Sequence, residues 1–450
     1  MKKIKQNKVH IISLGCPKNL IDSEVMGGLL NQSGLQIVDR NDSADIVIVN
    51  TCAFINPAKE EALEEILTLA ETKKKSDRQF KLVVAGCLAQ RYGKELSAQI
   101  PEVDLFIGTG EVGNIVRHIN KLDEIKFRRA SVITKPDFLM TSQHPRILSS
   151  TTTSTYLKIS DGCSNCCSYC VIPSIRGKAR SRTPHDILRE AENLAARGIK
   201  EIIITGQDTT AYGRDLKGQP QLSDLLNHMS QVKGIKWIRL LYTHPAHITT
   251  DLLKTIAASK IICRYIDLPI QHIDDDILRS MNRKVTSFKI KEVIAQARLI
   301  IPSVALRTSL IVGFPGETPK RFERLLDFVG ETKFDHLGVF TYSREEGTGA
   351  VKLKSQISEK EKERRREIIM NEQAAISNAI NKSLMGSIQE VLIEEKSDRP
   401  DYDFTGRCRR QAPEIDGVTY IKAKQAKIGS IVKCRIISTD DYDVFGEIIY

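Results

Sequence analysis

The chain has 450 residues, room for about two to four domains, and its 41% hydrophobic residues with 27 glycines place it in the ordinary globular range. Proline and glycine together number 42, too few for a disordered or fibrous chain, and no apolar run reaches the roughly 18 residues of a membrane span. The basic start Met1-Lys2-Lys3-Ile4-Lys5 leads to no cleavage site, so a secreted or membrane protein is excluded and a soluble cytoplasmic one expected. A net charge of +11 suits a phosphate-rich partner or a ribosomal neighbourhood, and ten cysteines are too sparse for a disulfide scaffold.

From Lys8 to Lys121, short apolar runs alternate with helical stretches. The runs are Val9–Leu14, Asp45–Asn50, Lys81–Ala85 and Val103–Gly108. β-branched runs alternating with helices predict a parallel α/β sheet, here over residues 8–122. Residues 122 to 152 break the rhythm: Lys126-Phe127-Arg128-Arg129, Lys135-Pro136 and the Ser/Thr run from Ser149 to Ser154 read as a linker.

A second alternation fills residues 149–383. Its strands are Tyr156–Ile159, Glu201–Ile204, Trp237–Leu240, Tyr265–Leu268, Ala305–Ile311 and Leu337–Phe340. Six strand–helix units fall short of the eight that close a full barrel, so a partial barrel is expected. The charged helix from Glu359 to Lys382 reads as a solvated connector. In residues 384–450 short runs separated by Gly- and Asp-rich turns predict a small β-barrel. The fold class is thus α/β, with a parallel domain, a partial (β/α)6 barrel and a terminal β-barrel.

Cys16, Cys52 and Cys87 each directly follow a predicted strand. Ligands of open parallel sheets gather at the carboxyl ends of strands, so three thiols placed alike can converge there. Burial as ordinary thiols explains each cysteine singly but not their shared position; three soft thiolates suit an iron–sulfur cluster or zinc. A second set, Cys163, Cys167 and Cys170, follows the first strand of the partial barrel as C-x3-C-x2-C, with Cys166 as an extra thiol. Three thiolates on a tight loop can hold three irons of a four-iron cluster and leave the fourth open. A zinc knuckle lacks its remaining ligands at the usual spacing, and a redox C-x-x-C leaves Cys163 unexplained. Cys263, Cys408 and Cys434 read as ordinary thiols.

That loop after the first strand of a partial barrel resembles the radical S-adenosylmethionine (SAM) superfamily. With the three strand-end cysteines before it and a β-barrel (a TRAM domain) after it, the whole chain resembles the methylthiotransferases of that superfamily. The resemblance implies two [4Fe-4S] clusters. Cys163, Cys167 and Cys170 would hold the one that chelates SAM through its open iron, yielding the 5′-deoxyadenosyl radical. Cys16, Cys52 and Cys87 would hold an auxiliary cluster carrying the sulfur to be transferred. It further implies SAM contacts from Tyr169, from Gly206, Gln207 and Asp208 after one strand, and from Gly313 and Glu317 after another. His272 is assigned no chemistry, and Cys166 departs from the family spacing. An electron donor such as a flavodoxin or ferredoxin is implied as well.

Two substrates compete within the resemblance: an adenosine of transfer RNA, or the β-carbon of an aspartate in small-subunit ribosomal protein S-twelve. The segment Ser13 to Glu24, with Cys16-Pro17-Lys18-Asn19, resembles the ribosomal-protein enzymes, as do Gly206–Gly213 and Gly338–Thr348. Residues 386–450 carry ten basic and twelve acidic side chains, and a barrel gripping RNA should be basic. Acidic turns at Glu414-Ile415-Asp416 and Asp440–Asp443 better suit a basic ribosomal protein. A non-catalytic iron–sulfur redox module is the reading from a different class.

Overall fold

Strands that read as unbroken Val/Ile runs must be covered on both faces. In the computed structural model, which describes residues 7–75, 80–122, 130–149 and 153–449, they are. Strands β1 (Lys8–Ser13), β2 (Gln36–Ile37), β3 (Ile46–Thr51), β4 (Lys81–Gly86), β5 (Leu105–Ile107) and β6 (Ala130–Val132) form one sheet in the order β2-β1-β3-β4-β5-β6. Every pairing in it is parallel, and all six residues of β3 are buried.

Two of these strands escaped the sequence reading. β2 is too short to show a pattern, and β6 lies inside the stretch read as a linker. The described residues after β6 in that stretch pack on the protein: Met140 is fully buried, and the Ile147 amide donates to the Glu24 carbonyl oxygen at 3.1 Å. The basic start Met1–Lys5, the linker residues Lys126–Arg129 and Ser150–Thr152 lie outside the described residues.

All six barrel strands are present: β7 (Ser154–Lys158), then, after the short antiparallel pair β8 (Ser160–Asp161) and β9 (Arg180–Ser181), β10 (Glu201–Thr205), β11 (Trp237–Leu240), β12 (Tyr265–Asp267), β13 (Ala305–Val312) and β14 (His336–Thr341). They form two parallel three-stranded sheets, β11-β10-β7 and β12-β13-β14, joined by a parallel bridge between Ile238 and Ile262. Helices cover the outside. In Pro184–Ala196, Ile187, Ala191 and Leu194 recur at helical spacing and face the strands, and the Thr183 hydroxyl caps the start by accepting from the Asp186 amide. Ile187 and Leu194 each contribute about 1.5–3 kcal/mol by leaving water.

The charged helix Glu359–Lys382 is not the solvated connector expected. Lys362, Arg365, Ile369, Gln373, Ile376 and Ser377 form a buried stripe on it. Its long cationic side chains are used as packing and hydrogen-bonding groups, a use that a count of charges hides. Arg365 Nη1 reaches Glu317 at 2.7 Å and Lys362 Nζ donates to the Tyr342 carbonyl oxygen at 2.8 Å.

β15 (Ile388–Lys396), β16 (Phe404–Cys408), β17 (Thr419–Lys422), β18 (Ile431–Thr439) and β19 (Val444–Ile448) close into a five-stranded barrel. It plugs the amino-terminal end of the partial barrel. Glu201, at the start of β10, takes Arg239 Nε at 2.8 Å and Arg407 Nη2 at 2.5 Å. The Tyr265 hydroxyl donates to Asp416 at 2.7 Å, and Arg307 lies 3.4 Å from the same carboxylate. Asp416 is therefore buried against the barrel, not displayed on an acidic turn as the charge argument assumed. One apolar cluster runs from Ile21 and Val25 of the first domain through Tyr156, Ile203 and Trp237 inside the barrel to Leu392 and Ala412 of the last. The opposite mouth, at the carboxyl ends of the strands, is left for chemistry. Among the described residues no helix is long and apolar enough to cross a membrane.

Candidate active site

Cys16, Cys52 and Cys87 sit just past β1, β3 and β4, and two glycines let these ends crowd. Gly15 has φ +88°, and a Cβ added there would lie 2.4 Å from the Cys52 Cβ. Gly86 has φ +93°, and a Cβ on it would strike the Asn50 side-chain oxygen at 2.3 Å. Burial pushes the Cys52 thiol up to about 12, with Cys87 and Cys16 close enough to add to the shift. Burial also raises Cys87, against the pull of the Arg176 guanidinium 3.6 Å away. Cys16 goes the other way: burial would raise it, but the charges of Lys18 and Arg176 bring it below the ordinary thiol range.

The second trio lies on the loop between β8 and β9. Gly162 opens it at φ +79°, where a Cβ would meet the Lys178 carbonyl oxygen at 2.2 Å. The Cys163 amide donates to the Gly177 carbonyl oxygen at 3.0 Å and ties the loop's two ends together. The Ile172 amide donates to Cys170 Sγ at 3.5 Å. Burial raises Cys163 to about 11 and Cys170 to about 12, each further raised by Cys167 nearby. Cys166 is exposed. The buried Cys263, Cys408 and Cys434 thiols are raised, burial being the first cause of each.

The residues read as SAM contacts divide in two. Tyr169 meets Phe314 edge-on, with ring centres 6.4 Å apart, and its hydroxyl accepts from Arg283 at 3.0 Å; the cysteine loop and the Gly313 turn therefore touch. Gln207 donates to Asp161 at 3.0 Å, while its buried side-chain oxygen has no partner. An orphaned acceptor at a strand end is a costly group to leave unpaired and fits an ammonium donor such as that of SAM. Glu317 and Asp208, by contrast, are occupied by the protein. Glu317 is held by Arg365, by the Gly313 amide at 3.0 Å and by His272 at 3.4 Å. Packing of Lys362 against Gly313, where a Cβ would lie 2.2 Å from the Lys362 Cγ, fixes that turn from outside. Gly206 sits where a Cβ would lie 2.8 Å from the Ser160 hydroxyl.

Asp208, His244 and His247 offer ligand-type atoms within 4.8 Å of one another. Both Asp208 oxygens, however, already accept: one from the Thr210 hydroxyl and the Ala211 amide, the other from Asn165 at 2.8 Å and His247 at 2.8 Å. The group therefore braces the cysteine loop through Asn165. His244 Nδ1 accepts from the Ala246 amide at 3.2 Å, as a neutral ring does. Burial, then the Arg283 charge, lower its pKa to about 3. An unfolded histidine takes up its proton near 6.5, which the folded one refuses, so this group subtracts stability as pH falls below about 6.5. In cluster-free protein, denaturant unfolding between pH 7 and 5 is expected to show a steeper loss for the parent than for His244→Asn. Equal slopes would show that His244 protonates in the folded state.

Sequence reasoning missed the charges that join the two trios. Lys158, wholly buried at the end of β7, donates to Asp22 at 2.6 Å and to Asp161 at 2.9 Å. Arg176 reaches the same two carboxylates at 2.5 and 3.3 Å and also Asn19 at 2.5 Å. Asp161 accepts from the Gly162 amide beside Cys163, while Arg176 lies against Cys87. A lysine in the middle of the run Tyr156-Leu157-Lys158-Ile159 was the available signal. At the rim, Glu345 binds Lys59 and Arg91 of the first domain, both at 2.8 Å.

None of the six cysteines is joined in a disulfide, and each trio is held on glycine-tightened backbone, a donor set suited to iron–sulfur ligation. Residues 157–329 match the Radical SAM superfamily, residues 385–449 the TRAM domain, and residues 8–108 the uncharacterized protein family UPF0004. The fold is shared with TsrM from Kitasatospora setae, a radical SAM methyltransferase solved with cobalamin and a [4Fe-4S] cluster (TM-score 0.55, 15% identity, 88% of this chain and 82% of that one). It is shared also with the cobalamin-dependent SAM radical enzyme OxsB (TM-score 0.52, 13% identity, 82% of this chain and 56% of that one). Partial barrel, cysteine loop and domain matches together define a radical SAM enzyme. Identity to ribosomal protein uS12 methylthiotransferase RimO is 57% for the Syntrophus aciditrophicus protein and 48% for that of Geobacter sulfurreducens, each alignment covering 99% of both chains. The chain belongs to the RimO family.

Proposed function

We propose that this protein adds a methylthio group to the β-carbon of an aspartate in ribosomal protein uS12. The observation that carries the reading is the pair of cysteine trios at the open mouth of the barrel, joined by the buried charges of Asp22, Lys158, Asp161 and Arg176. The full-length likeness to RimO proteins directs it to uS12.

In this reading Cys163, Cys167 and Cys170 hold one [4Fe-4S] cluster and Cys16, Cys52 and Cys87 a second. When bound, the clusters and SAM supply one-electron cleavage and sulfur transfer. The protein's part is placement. The Gln207 side-chain oxygen, which has no protein partner, would receive the SAM ammonium, Tyr169 and the Gly313 turn would border its adenine, and Glu317 and Asp208 hold that frame through their own bonds. Glu345, clamped between Lys59 and Arg91, seals the rim against water. Residues 8–122 together with β6, residues 149–383 and residues 384–450 act as three units, and a flavodoxin or ferredoxin supplies electrons.

The test is mass spectrometry of uS12 and of transfer RNA from a strain lacking the gene. The methylthio group should vanish from uS12 and return with a plasmid copy. Loss from transfer RNA alone would reject the reading.

A further inference from the structure

Three lysines among the described residues are buried. Lys158 pairs with Asp22 and Asp161, and Lys362 pairs with Glu359. Lys18 is 7% exposed; the groups that favour its charge are Tyr242 and the Cys16 thiol two positions before it, with no carboxylate among them. Its ammonium instead rests 3.4 Å from the centre of the Tyr242 ring. An ammonium has three N–H donors, and a cation–π contact, worth about 0.5–2 kcal/mol, occupies its charge without giving those donors an acceptor.

Tyr242 is itself unusual. It follows β11 at the open mouth of the barrel with φ +58°, a left-handed conformation that bulky side chains rarely adopt. The barrel enforces it from both sides. The Tyr242 amide donates to Asp267 at 2.9 Å, and its carbonyl oxygen accepts from the Thr209 amide at 3.0 Å and hydroxyl at 3.1 Å. Asp267 is in turn fixed by Arg307 at 2.9 Å. Strain of about 1–3 kcal/mol is thus held in place by three strand ends, and it sets an aromatic face under the ammonium. Arg176, the other cation near Cys16, has its guanidinium engaged by Asp22, Asp161 and Asn19 and is not available to a ligand.

We propose that Lys18, presented on Tyr242, is the anchor for the side-chain carboxylate of the substrate aspartate. The inference rests on the functional reading above and deepens it. A carboxylate accepting from Lys18 gives a hydrogen-bonded acceptor to the one buried lysine among the described residues that has no carboxylate partner. It also fixes the acceptor residue two positions along the chain from Cys16, so that an aspartate, and not its amide, is selected.

The experiment measures binding of uS12 purified from a strain lacking the enzyme, and of the same protein with asparagine at the modified position, to anaerobically reconstituted holoenzyme. Iron content serves as the check on folding. The parent should bind the aspartate form about ten- to a hundredfold more tightly, the range for a hydrogen bond to a charged group. Lys18→Met should bind both forms alike, at the level the parent shows for asparagine, and Lys18→Arg should restore part of the preference. A Lys18→Met protein that keeps the parental preference overturns the inference, as does a parent without one. If Lys18→Met binds less iron, Tyr242→Leu, which leaves the ammonium but removes its support, must reduce the preference at least threefold, and an unchanged ratio overturns the inference. A parent that leaves uS12 unmodified defeats the functional reading instead, so the two failures are distinct.

Discussion

Alanine at Cys163, Cys167 and Cys170 together is expected to abolish SAM cleavage, a loss of more than about a thousandfold, while the chain still folds and keeps about half its iron. Apart from the long Ile172 amide contact to Cys170 Sγ at 3.5 Å, the loop is tied by backbone. The Cys163 amide bonds to the Gly177 carbonyl oxygen, the Cys170 amide to the Cys167 carbonyl oxygen, and the Ser168 amide to the Met281 carbonyl oxygen. Removing three sulfur atoms leaves those bonds intact. The matching triple at Cys16, Cys52 and Cys87 should also lose half the iron but keep SAM cleavage, and should fail only in methylthio transfer. Iron and sulfide analysis with single-turnover product analysis, all without oxygen, reads both proteins. If either triple retains full iron, that trio is not a cluster ligand set. Cys166→Ala is the control: its thiol is exposed, and its backbone oxygen, which accepts from Asn282 at 2.6 Å, is untouched, so iron should not change.

The sequence exposed what depends on order along the chain. Six barrel strands, four strands of the first sheet and the cysteines after them follow from local runs of Val and Ile and from residues at their ends. It concealed what depends on partners far apart. Lys158 and Asp22 are 136 positions apart and Arg407 and Glu201 are 206 apart; nothing in either neighbourhood announces the other. The same limit explains the errors on charge. Asp416 and Arg365 look like solvated residues in sequence, yet each is buried against a complementary group supplied by a distant element. The SAM contacts were read by position, and position alone cannot separate the unsatisfied Gln207 from Glu317, which is already bound by three protein groups.

Lys158→Met is expected to destabilise the protein by about 3–5 kcal/mol, the cost of breaking a buried ion pair from one side. Four charges balance in this site: Lys158 and Arg176 against Asp22 and Asp161. Burial alone would raise the Asp161 carboxyl, and Lys158 with Arg176 instead hold it well below the usual carboxylate range. With Lys158 gone, Arg176 must serve both carboxylates while it also holds Asn19 and lies against Cys87. The damage should therefore reach beyond stability. Asp161 accepts from the Gly162 amide at 2.8 Å and from Gln207 at 3.0 Å, so a shift of this carboxylate moves the cysteine loop and the proposed ammonium acceptor together. Denaturant unfolding gives the first effect, and a raised KM for SAM gives the second. Adding Asp22→Asn to Lys158→Met removes the orphaned charge and should recover part of the loss, a non-additivity of about 0.5–3 kcal/mol. By comparison Lys75→Met, which breaks the exposed, solvent-screened pair with Glu71, should leave the unfolding midpoint essentially where it is. If Lys158→Met proved as mild as Lys75→Met, the buried charges could not be what fastens the first domain to the barrel. That fastening would then fall to the apolar cluster shared by Ile21, Val25 and Tyr156.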